Sequence, residues 1–520
     1  MAPMSKRFYL TTAIDYVNGA PHLGHAYEKV IADVIARARR ALGEEVFFLT
    51  GLDEHGQKVQ QAAVAEGKNP QAYCDDLAAS WRDFVAKLGL SHDDFVRTTE
   101  PRHKEVVRAI LARLHAEGQF YKATHRGFYS PSEETFLTDK DRLPDGTFDP
   151  AWGNVVELEE DNYYFKLRPH QDWLIGHMEA HPGFIAPDYR RNEVLGFLKN
   201  EVLQDLCISR PVTRLNWGIP LPFDPGYVTY VWFDALVNYI SVPFALGDPA
   251  VRQALAPAAP AGAPFAAWPA DLHIIGKDIL KFHAVYWPIM LKAMGLPLPR
   301  QVLVHGWWQK DGRKLSKSTG NIVDPVAVID QWGLDALRYY LVRELDIGPD
   351  GNWTDAGFRA RYQSELANGL GNLVNRSLSM IARYRGGRVP GGVGQLNGET
   401  AGTWERAVAA YRAKALQEAL AQCGALVTRA NQYIDQTAPF KLAKDPARAG
   451  ELDNILYTLA GVCGALGVLL WPVMPGTAEK LQRQLGMVSV NTNLAQPPPP
   501  LAPGQALGEI FPLFPRKDGA

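Results

Sequence analysis

Residues 8–50, FYLTTAIDYVNGAPHLGHAYEKVIADVIARARRALGEEVFFLT, contain a predicted strand, helix and second strand. Residues 8–12 predict a short strand, and apolar residues at helical spacing after Pro21 predict a helix that ends at Gly43. Residues 46–50 form a continuous apolar run of strand length. A strand, a crossover helix and a fully apolar strand are typical of a parallel sheet with helices on its faces. The sequence therefore predicts an α/β fold.

The composition of the 520 residues is that of a globular protein, with 47% hydrophobic and 21% charged residues. It excludes a disordered chain, a collagen and a pure coiled coil. The net charge of −2 excludes a histone-like polycation, although a local basic stripe stays possible. The cysteines form no C-x-x-C pair, so they predict neither a disulfide scaffold nor a zinc site and fit a reducing compartment: Cys74, Cys207, Cys423 and Cys463.

Strand patterns divide most of the chain into three parts. Residues 1–117 carry the first half of the sheet domain. In residues 118–225 short aromatic segments alternate with turns, which predicts an inserted connective domain of mixed α/β structure. Residues 226–350 form the second half of the sheet domain, because apolar strands return at residues 227–231, 272–275 and 301–304.

Residues 351–520 predict an α-helical bundle and an extended, proline-rich tail, with helices over residues 361–384, 403–436 and 451–471. Residues 454–478 carry no formal charge and exceed the roughly 20 residues that a membrane span needs. Glycines dilute this segment, prolines end it and no Lys/Arg cluster flanks it, so we interpret it as a buried bundle helix. The N-terminus resembles neither a signal peptide nor an Arg/Ser-rich leader, which favours a cytoplasmic protein.

Unusual polar residues directly follow four of the predicted strands. In open parallel sheets, ligands bind in the crevice beyond the carboxyl ends of the strands. Four polar segments in this position predict one ligand-binding crevice: residues 16–25, 51–56, 276–283 and 305–318.

His22 and His25 bracket Gly24 where the first helix begins. Free N–H groups and the positive end of the helix dipole attract phosphate there, and imidazoles can donate hydrogen bonds to phosphate oxygens. Gly24 would let a base or ribose approach the backbone closely. An isolated H-x-x-H is more often a surface feature, but its place at a strand-to-helix turn favours phosphate binding. The turn lacks G-x-G-x-x-G, which counts against a nicotinamide enzyme.

A second basic segment places four cations within eight residues, near Gly312 and Gly320: Lys310, Arg313, Lys314 and Lys317. Crowded cations repel one another unless an anion joins them, and a triphosphate or pyrophosphate fits that need. A solvated basic loop is the alternative. The flanking glycines and the hydroxyls of Ser316 and Ser318 favour a mobile phosphate clamp.

His22-Leu23-Gly24-His25 and Lys314-Leu315-Ser316-Lys317-Ser318 resemble the two signature motifs of class I aminoacyl-tRNA synthetases. Five further segments resemble the methionyl-tRNA synthetase family: residues 18–21 (NGAP), 50–56 (TGLDEHG), 217–222 (WGIPLP), 230–235 (YVWFDA) and 275–279 (IGKDI). The likeness runs from about residue 6 to about residue 444. It implies a doubly wound, Rossmann-like catalytic domain with a parallel sheet, an inserted mixed α/β connective domain and a C-terminal α-helical bundle that binds the anticodon.

The resemblance implies a methionine–tRNA ligase that uses ATP with Mg²⁺. Methionine reacts with ATP to give methionyl-adenylate and pyrophosphate, and the methionyl group then passes to the terminal adenosine of methionine tRNA, initiator or elongator. The implied catalytic residues are His22, His25, Lys314 and Lys317. The implied ATP-binding residues are the same four with Gly24, Gly276 and Asp278. The implied methionine-binding residues are Ala13, Tyr16, Asp53, Trp232, Ala235, Leu236, Tyr239, Ile279 and His283.

Several of these residues also have an ordinary structural interpretation. Trp232, Ala235, Leu236 and Tyr239 stand at i, i+3, i+4 and i+7, a pattern that by itself more often marks a core-facing helix. A pocket lined by the aromatic and aliphatic side chains of this face would suit a thioether, because sulfur–aromatic contacts contribute about 0.3–1.5 kcal/mol each. Asp53 would hold the substrate ammonium group, although a strand-end carboxylate is often simply solvated.

The bundle carries a local excess of positive charge: residues 351–390 contain six arginines against two acidic residues. Asn372 and Arg376 stand at i, i+4, on one helix face. The resemblance implies that they read the anticodon together with Phe440, where many members have tryptophan. A phenyl ring can still stack on a splayed base, and helix-end packing is the alternative for Phe440.

The sequence departs from many members of the family in two ways. Residues 129–134 (YSPSEE) stand where many members have a cysteine zinc knuckle, so we expect no structural zinc and no other bound metal. The extra C-terminal domain that dimerises some relatives is not found, so we expect a monomer. The insertion is too short for the large editing domain of the isoleucine, valine and leucine enzymes.

Two other functions stay open at this stage. A small-molecule ligase or nucleotidyltransferase could share the histidine motif without using tRNA, but the bundle with Asn372, Arg376 and Phe440 argues against it. An RNA-binding module descended from a synthetase is the other alternative. Such modules usually lose a signature motif, whereas both motifs are present here.

Overall fold

A computed structural model describes residues 7–17, 19–130, 135–137, 139–255, 265–315 and 321–516. The backbone contacts divide the chain into two compact units. Unit 1 consists of Met1–Ala20, Phe47–Asp83 and His92–Val304, and unit 2 of Pro21–Val46, Phe84–Ser91 and His305–Ala520. The division into four parts, with boundaries near residues 117, 225 and 350, stays a prediction.

The strands are short, apart from two long ones in the predicted insertion. In chain order they are β1 Phe8–Thr12, β2 Asp15–Tyr16, β3 Val46–Asp53, β4 Asp94–Arg97, β5 Phe120–Ser130, β6 Thr135–Leu137, β7 Val156–Phe165, β8 Ile185–Ala186, β9 Leu206–Cys207, β10 Ser209–Pro211, β11 Pro220–Leu221, β12 Asp224–Thr229, β13 Leu272–Gly276, β14 Val302–His305, β15 Trp308–Lys310, β16 Arg313–Lys314 and β17 Gly351–Trp353.

The α-helices are α1 Leu23–Ala41, α2 Gln57–Ala65, α3 Pro70–Lys87, α4 Pro101–Ala116, α5 Gln171–Ala180, α6 Asp188–Asn200, α7 Val231–Leu236, α8 Asn238–Ala245, α9 Pro249–Leu255, α10 Trp287–Ala293, α11 Pro325–Trp332, α12 Leu334–Arg343, α13 Asp355–Arg361, α14 Asn372–Arg385, α15 Asn397–Ala413, α16 Leu416–Thr437, α17 Pro439–Leu442, α18 Ala449–Leu469 and α19 Pro475–Gln484. Two π-helical segments, Phe282–Tyr286 and Tyr362–Gly371, precede α10 and α14.

The main sheet has the strand order β2-β3-β1-β13-β14-β8, and β4 also pairs with β3. The pairs β1–β13, β2–β3, β3–β4 and β14–β8 are parallel. The four strands that the sequence predicts to precede polar segments are therefore neighbours in one sheet. Gly51 lies in the middle of β3, where a Cβ atom would stand 2.0 Å from the carbonyl oxygen of Val96 on β4.

The strand predicted at residues 227–231 belongs elsewhere, which corrects the sequence interpretation. β12 pairs antiparallel with β10 and β11 in a separate three-stranded sheet, and Val231 already begins α7. A short apolar run predicts a strand but not its partner, because hydrophobic pattern alone does not distinguish one sheet from another. The insertion also has a four-stranded antiparallel sheet, β6-β5-β7-β9.

Unit 2 is mainly helical, but the single helix predicted over residues 403–436 is two helices. α15 ends before Lys414, which adopts the left-handed conformation with φ 63°. Residues 414 and 415 then turn the chain into α16, which packs back against α15. Periodicity misses this turn because the apolar pattern continues on both sides of it.

One helix among the described residues, Pro446–Leu469, is long and apolar enough to cross a membrane. Of its apolar window, 78% is buried inside the protein. The helix packs against α14, α15, α16 and α19. This burial agrees with the interpretation of the segment as a bundle helix.

Within unit 2, the fully buried Arg338 of α12 links α1 to the bundle. Nη2 of Arg338 donates to Oδ2 of Asp33 on α1 at 2.6 Å, and Nε donates to the carbonyl oxygen of Val473 at 2.7 Å. Burial alone would raise the pKa of Asp33, but Arg338 and Arg37 lower it below its usual value. The ionised pair therefore fixes the axis of α1, the helix that begins after His22.

Candidate active site

The carboxyl ends of β1, β2 and β3 bring three predicted site residues together in unit 1. Tyr16 on β2 is the register partner of Asp53 on β3, and the amide of Val17 donates to the carbonyl oxygen of Asp53 at 3.0 Å. Ala13 directly follows β1, and its amide donates to the carbonyl oxygen of Ile274 on β13 at 3.1 Å. Asp53 is buried, so its carboxyl group stands in a site from which water is largely excluded.

Tyr239 and His283 form a buried polar pair in the same unit. The hydroxyl of Tyr239 lies 2.7 Å from Nε2 of His283, and Nδ1 of His283 lies 3.0 Å from the carbonyl oxygen of Ile279. A carbonyl oxygen only accepts, so Nδ1 of His283 donates to Ile279, and in a neutral imidazole Nε2 then accepts from the Tyr239 hydroxyl. The structure thus joins three predicted methionine-binding residues in one chain of hydrogen bonds.

The predicted helix face at Trp232, Ala235, Leu236 and Tyr239 is distributed over two helices, a correction to the sequence interpretation. α7 ends at Leu236 and α8 begins at Asn238. The side chain of Asn238 donates to the carbonyl oxygen of Ala235 at 2.7 Å. Hydrogen bonds of this kind from asparagine to the backbone compete with the regular hydrogen bonds of a helix. Ala235, Leu236 and Tyr239 are buried.

Trp232 is half-buried and stacks on the ring of Phe282. The ring centroids are 3.6 Å apart and the interplanar angle is 13°. Phe282 is the immediate neighbour of His283 in the π-helical segment Phe282–Tyr286. This stack brings α7 to the segment that carries His283, so the aromatic side chains of both elements line one region.

Gly276 and Asp278 lie at the end of a strand of the main sheet, close to where the sequence predicts them. Gly276 is the buried last residue of β13, and Asp278 is the exposed middle residue of the single 3₁₀ turn Lys277–Ile279. The turn places Asp278 next to Ile279 in the chain. An exposed carboxylate beside a strand end is suited to accept hydrogen bonds from hydroxyl groups.

In unit 2, His22 and His25 form the N-terminal cap of α1. Nδ1 of His22 accepts from the amide of Gly24, and Nδ1 of His25 accepts from the amide of His22, both at 3.1 Å. The rings stack with centroids 3.8 Å apart. Each Nδ1 is an acceptor, so a neutral ring carries its proton on Nε2, which can then donate. A Cβ atom on Gly24 would stand 3.0 Å from the His22 ring.

The second signature segment follows a β-hairpin of unit 2. β15 and β16 pair antiparallel, with Gln309 opposite Lys314. The side chain of Lys314 and all of Lys317 lie outside the described residues. The ring of Tyr27 on α1 packs edge-on against Trp308 at the start of this hairpin, with centroids 5.7 Å apart. The helix that His22 caps and the hairpin that leads to Lys317 are therefore in contact.

A buried charged cluster strengthens this contact between α1 and the end of β14. Nε2 of His305 lies 3.2 Å from Oε2 of Glu28, and Nζ of Lys29 lies 3.0 Å from Oε1 of the same carboxylate. Burial alone would raise the pKa of Glu28, but Lys29 and His305 lower it below its usual value. The carboxylate is ionised and holds Lys29 and His305 beside the first turns of α1.

A pair of side chains on α14 faces a matching pair on α16. Nδ2 of Asn372 donates to Oδ1 of Asn431 at 3.4 Å, and Nη2 of Arg376 donates to Oδ1 of Asp435 at 2.8 Å. Phe440 lies on α17, the short helix that follows α16. Its side chain is 45% exposed, which is unusual for a phenylalanine. The structure thus places the two polar residues on one helix face and the aromatic ring at the end of the facing helix.

Among the described residues, no group of three or more His, Cys, Asp and Glu side chains is arranged to hold a metal ion. Cys207 is the cysteine of the predicted insertion, and its sulfur accepts from Nη1 of Arg210 at 3.1 Å. Part of the YSPSEE segment, residues 131–134, lies outside the described residues.

Comparison with known proteins decides the family. The family described as "tRNA synthetases class I (M)" matches residues 8–147 and 151–378. The methionine–tRNA ligase of Bacillus subtilis (strain 168) is 43% identical over 507 residues, which span 94% of this chain and 74% of the relative. The corresponding enzyme of Rhizobium meliloti (strain 1021) is 43% identical over 497 residues, 94% of this chain and 92% of the relative.

A solved structure agrees in fold: Mycobacterium tuberculosis methionyl-tRNA synthetase in complex with methionyl-adenylate. It superposes with a TM-score of 0.89 at 38% identity and covers 98% of this chain and 100% of its own. The chain belongs to the methionine–tRNA ligase family of class I tRNA synthetases. Its Rossmann-like parallel sheet and C-terminal helical region are those of this family.

Three residues near the methionine–tRNA ligase site were missed from the sequence. His55 and His103 both contact the fully buried carboxylate of Asp234 on α7. His55 follows Asp53 by two positions, and Asp234 lies inside the YVWFDA segment, so both stood in quoted motifs. His103 lies on α4, and no local pattern marks it as part of the site.

Proposed function

We propose that unit 1 binds methionine through the residues predicted from the sequence. As a member of its family, the enzyme activates methionine with ATP to methionyl-adenylate and pyrophosphate and then transfers the methionyl group to tRNA. The single observation that best supports a methionine site is the buried Tyr239–His283–Ile279 chain of hydrogen bonds beside an aromatic and aliphatic face.

The proposed site fits the two ends of methionine by different means. The buried Asp53 carboxylate binds the ammonium group, with Ala13 and Tyr16 beside it. The thioether contacts Ile279 and the apolar face of α7 and α8. The residues of this face are Trp232, Ala235, Leu236 and Tyr239. His283 holds the Tyr239 hydroxyl in place, so a small set of polar groups orients an otherwise apolar ligand.

We assign the nucleotide to a second set of residues. Nε2 of His22 and Nε2 of His25 donate to phosphate oxygens at the N-terminus of α1, where the helix dipole also favours negative charge. Gly24 keeps space for the His22 ring. Gly276 and Asp278 bind the nucleoside, and Lys314 and Lys317 bind the phosphates. ATP enters as its Mg²⁺ complex, and the metal ion is part of the substrate.

The reaction needs no nucleophilic side chain. The methionine carboxylate oxygen attacks the α-phosphorus of ATP, the bond to the β-phosphate oxygen breaks, and pyrophosphate leaves. The protein therefore accelerates the step by positioning the reactants and by stabilising negative charge on the phosphates. The residues that provide this stabilisation are His22, His25, Lys314 and Lys317. In the second step a ribose hydroxyl of the tRNA displaces AMP from the methionyl carbonyl.

The partly exposed residues Asn372 and Arg376, together with Phe440, read the anticodon of methionine tRNA. The Arg376 guanidinium and the Asn372 amide offer hydrogen-bond donors to base edges, and the half-exposed Phe440 ring offers a stacking surface. Initiator and elongator tRNA share this anticodon and bind the same face.

The finer properties of the enzyme are proposals of the same kind. We propose a monomer, located in the cytoplasm, without structural zinc. The four cysteines stand far apart in the sequence and form no C-x-x-C pair, which supports the last two proposals. Light scattering tests the monomer, and elemental analysis of the purified enzyme tests the zinc.

Pyrophosphate exchange and tRNA charging test the assignment of the phosphate-binding residues. His22→Ala is expected to abolish methionine-dependent exchange of pyrophosphate into ATP while the fold persists, because the bond by which the ring caps α1 is local. His181→Ala, at an exposed histidine of unit 1, is the matched control and should keep full activity. Full exchange activity in His22→Ala would refute the role of the histidine pair. Exchange without tRNA charging would instead favour a nucleotidyltransferase.

A further inference from the structure

The segment that directly follows Asp53 is fixed by buried polar contacts in unit 1. The amide of Glu54 donates to Oγ1 of Thr98 at 3.0 Å, and Nε of Arg97 donates to Oε1 of Glu54 at 2.6 Å. Nε1 of Trp217 donates to the carbonyl oxygen of Glu54 at 2.5 Å. The position of the Asp53 backbone is thus set by several neighbours at once.

Asp234 connects this segment to the helix that carries Trp232. Its carboxylate is fully buried; Oδ2 accepts from Nδ1 of His55 at 2.5 Å, and Oδ1 accepts from Nε2 of His103 at 2.6 Å. Burial alone would raise the pKa of Asp234, but the two histidines lower it to about 2. One ionised carboxylate therefore accepts from two imidazoles that come from different parts of the chain.

His103 also joins the two helices of the apolar face. Its Nδ1 lies 3.0 Å from Oγ of Ser241 on α8, while its Nε2 binds Asp234 on α7. Ser241 Oγ further contacts the carbonyl oxygen of Asn238 at 3.2 Å. A single residue of α4 therefore holds α7 and α8 on either side of the break at Val237, and with them the relation between Ala235 and Tyr239.

We propose that the His55–Asp234–His103 network is a specificity-determining positioning device for methionine. It fixes the distance between the Asp53 carboxylate, which binds the ammonium group, and the α7–α8 face, which binds the thioether. This distance selects the length of the substrate side chain. The inference rests on the methionine site proposed above. The three residues are buried and act through Asp53 and the helix face, so they are positioning residues.

Asp234→Asn tests the network with almost no change in size. In this variant the side chain keeps one acceptor oxygen but replaces the other by an NH₂ donor. This donor faces an imidazole nitrogen that also donates, so one of the two hydrogen bonds, to His55 or to His103, is lost. Loss of a charge-assisted hydrogen bond should raise the KM for methionine about 10- to 100-fold. The values of kcat and of the KM for ATP should stay within about twofold, because the network does not serve the phosphates. The preference for methionine over the longer ethionine and the shorter homocysteine should fall.

Asp248→Asn is the matched control for a merely structural effect. Asp248 is an equally buried aspartate of unit 1, and its Oδ2 accepts from the amides of Ala267 and Trp268 at 2.7 and 2.8 Å. The control should lower the melting temperature and leave the KM for methionine unchanged. Ser241→Ala removes the link to α8 without altering a buried charge, and it should raise the KM for methionine about threefold.

The outcomes separate this inference from the proposed function. A wild-type KM and wild-type discrimination in Asp234→Asn would overturn the positioning role, and so would an equal rise of KM in Asp248→Asn. If Asp234→Asn does not fold, Ser241→Ala decides, and an unchanged KM there overturns the inference. Absence of methionine-dependent exchange in the wild-type enzyme would refute the proposed function instead.

Discussion

The hydroxyl group of Tyr239 forms a hydrogen bond of 2.7 Å with Nε2 of His283, and both side chains are buried in unit 1. The second ring nitrogen of His283 donates to the carbonyl oxygen of Ile279, so the imidazole has used both of its positions. The pair therefore presents a fixed polar group beside an apolar face, and the apolar face suits a thioether substrate.

Tyr239→Phe should lower kcat/KM for methionine about tenfold, because Nε2 of His283 loses the Tyr239 hydroxyl, its hydrogen-bond partner, in a buried site. The ring and its packing stay, so the fold should persist. The matched control is Tyr411→Phe, which removes a buried hydroxyl that donates to the carbonyl oxygen of Leu469 in unit 2. Steady-state pyrophosphate exchange measures both. Equal kcat/KM values for Tyr239→Phe and the wild type would contradict the proposed role of the pair.

Arg338→Met should lower the free energy of unfolding by about 3–5 kcal/mol, because it leaves the Asp33 carboxylate buried without its main partner. Arg448→Met is the comparison, since Arg448 pairs with Glu451 on the surface, and there the loss should be below about 1 kcal/mol. Urea unfolding followed by circular dichroism measures both. A similar, small change in the two variants would show that the buried pair does not stabilise unit 2 as described.

The stability of unit 1 should depend on pH through Asp234. Its pKa is about 2 in the folded protein and about 3.9 in an unfolded chain. The carboxylate therefore contributes about 2–3 kcal/mol of stability above pH 4, and this contribution is lost as the pH falls towards 2. Wild type should be more stable than Asp234→Asn at pH 6, and the difference should shrink with acid. A constant difference in unfolding midpoint between pH 6 and pH 2 would contradict the assignment.

Phe440→Leu should raise the KM for tRNA about 10-fold or more and leave pyrophosphate exchange unchanged, because base stacking contributes about 1–3 kcal/mol per base. The control is Phe511→Leu, which removes another partly exposed aromatic ring of unit 2. Aminoacylation with varied tRNA concentration distinguishes the two variants. If both variants charge tRNA like the wild type, Phe440 is a packing residue only.

The sequence was sufficient for four of the seven strands of the main sheet, because each of these four is a largely apolar run followed by polar residues. β1 begins and ends as predicted, and β3, β13 and β14 lie within a few residues of their predicted positions. β3 extends to Asp53, so the predicted ammonium-binding residue is the last residue of the strand itself. For these four strands the local sequence pattern and the buried position agree, which is why the pattern predicted them.

The sequence was insufficient where a contact joins distant segments or where a turn interrupts an apolar pattern. The break between α7 and α8 depends on one asparagine side chain, and the turn before α16 on the left-handed Lys414. His103 lies 131 positions from Asp234, so only the fold brings the two together. Residues of this kind have no signal in spacing or composition.

Amino-acid-dependent pyrophosphate exchange tests the central claim most directly, with methionine compared against leucine, isoleucine and valine. The account predicts exchange with methionine alone at physiological concentrations, and a large rise of the KM for methionine in Asp53→Asn. Equal exchange with leucine, isoleucine or valine, or a wild-type KM in Asp53→Asn, would contradict the assignment of unit 1 as the methionine site.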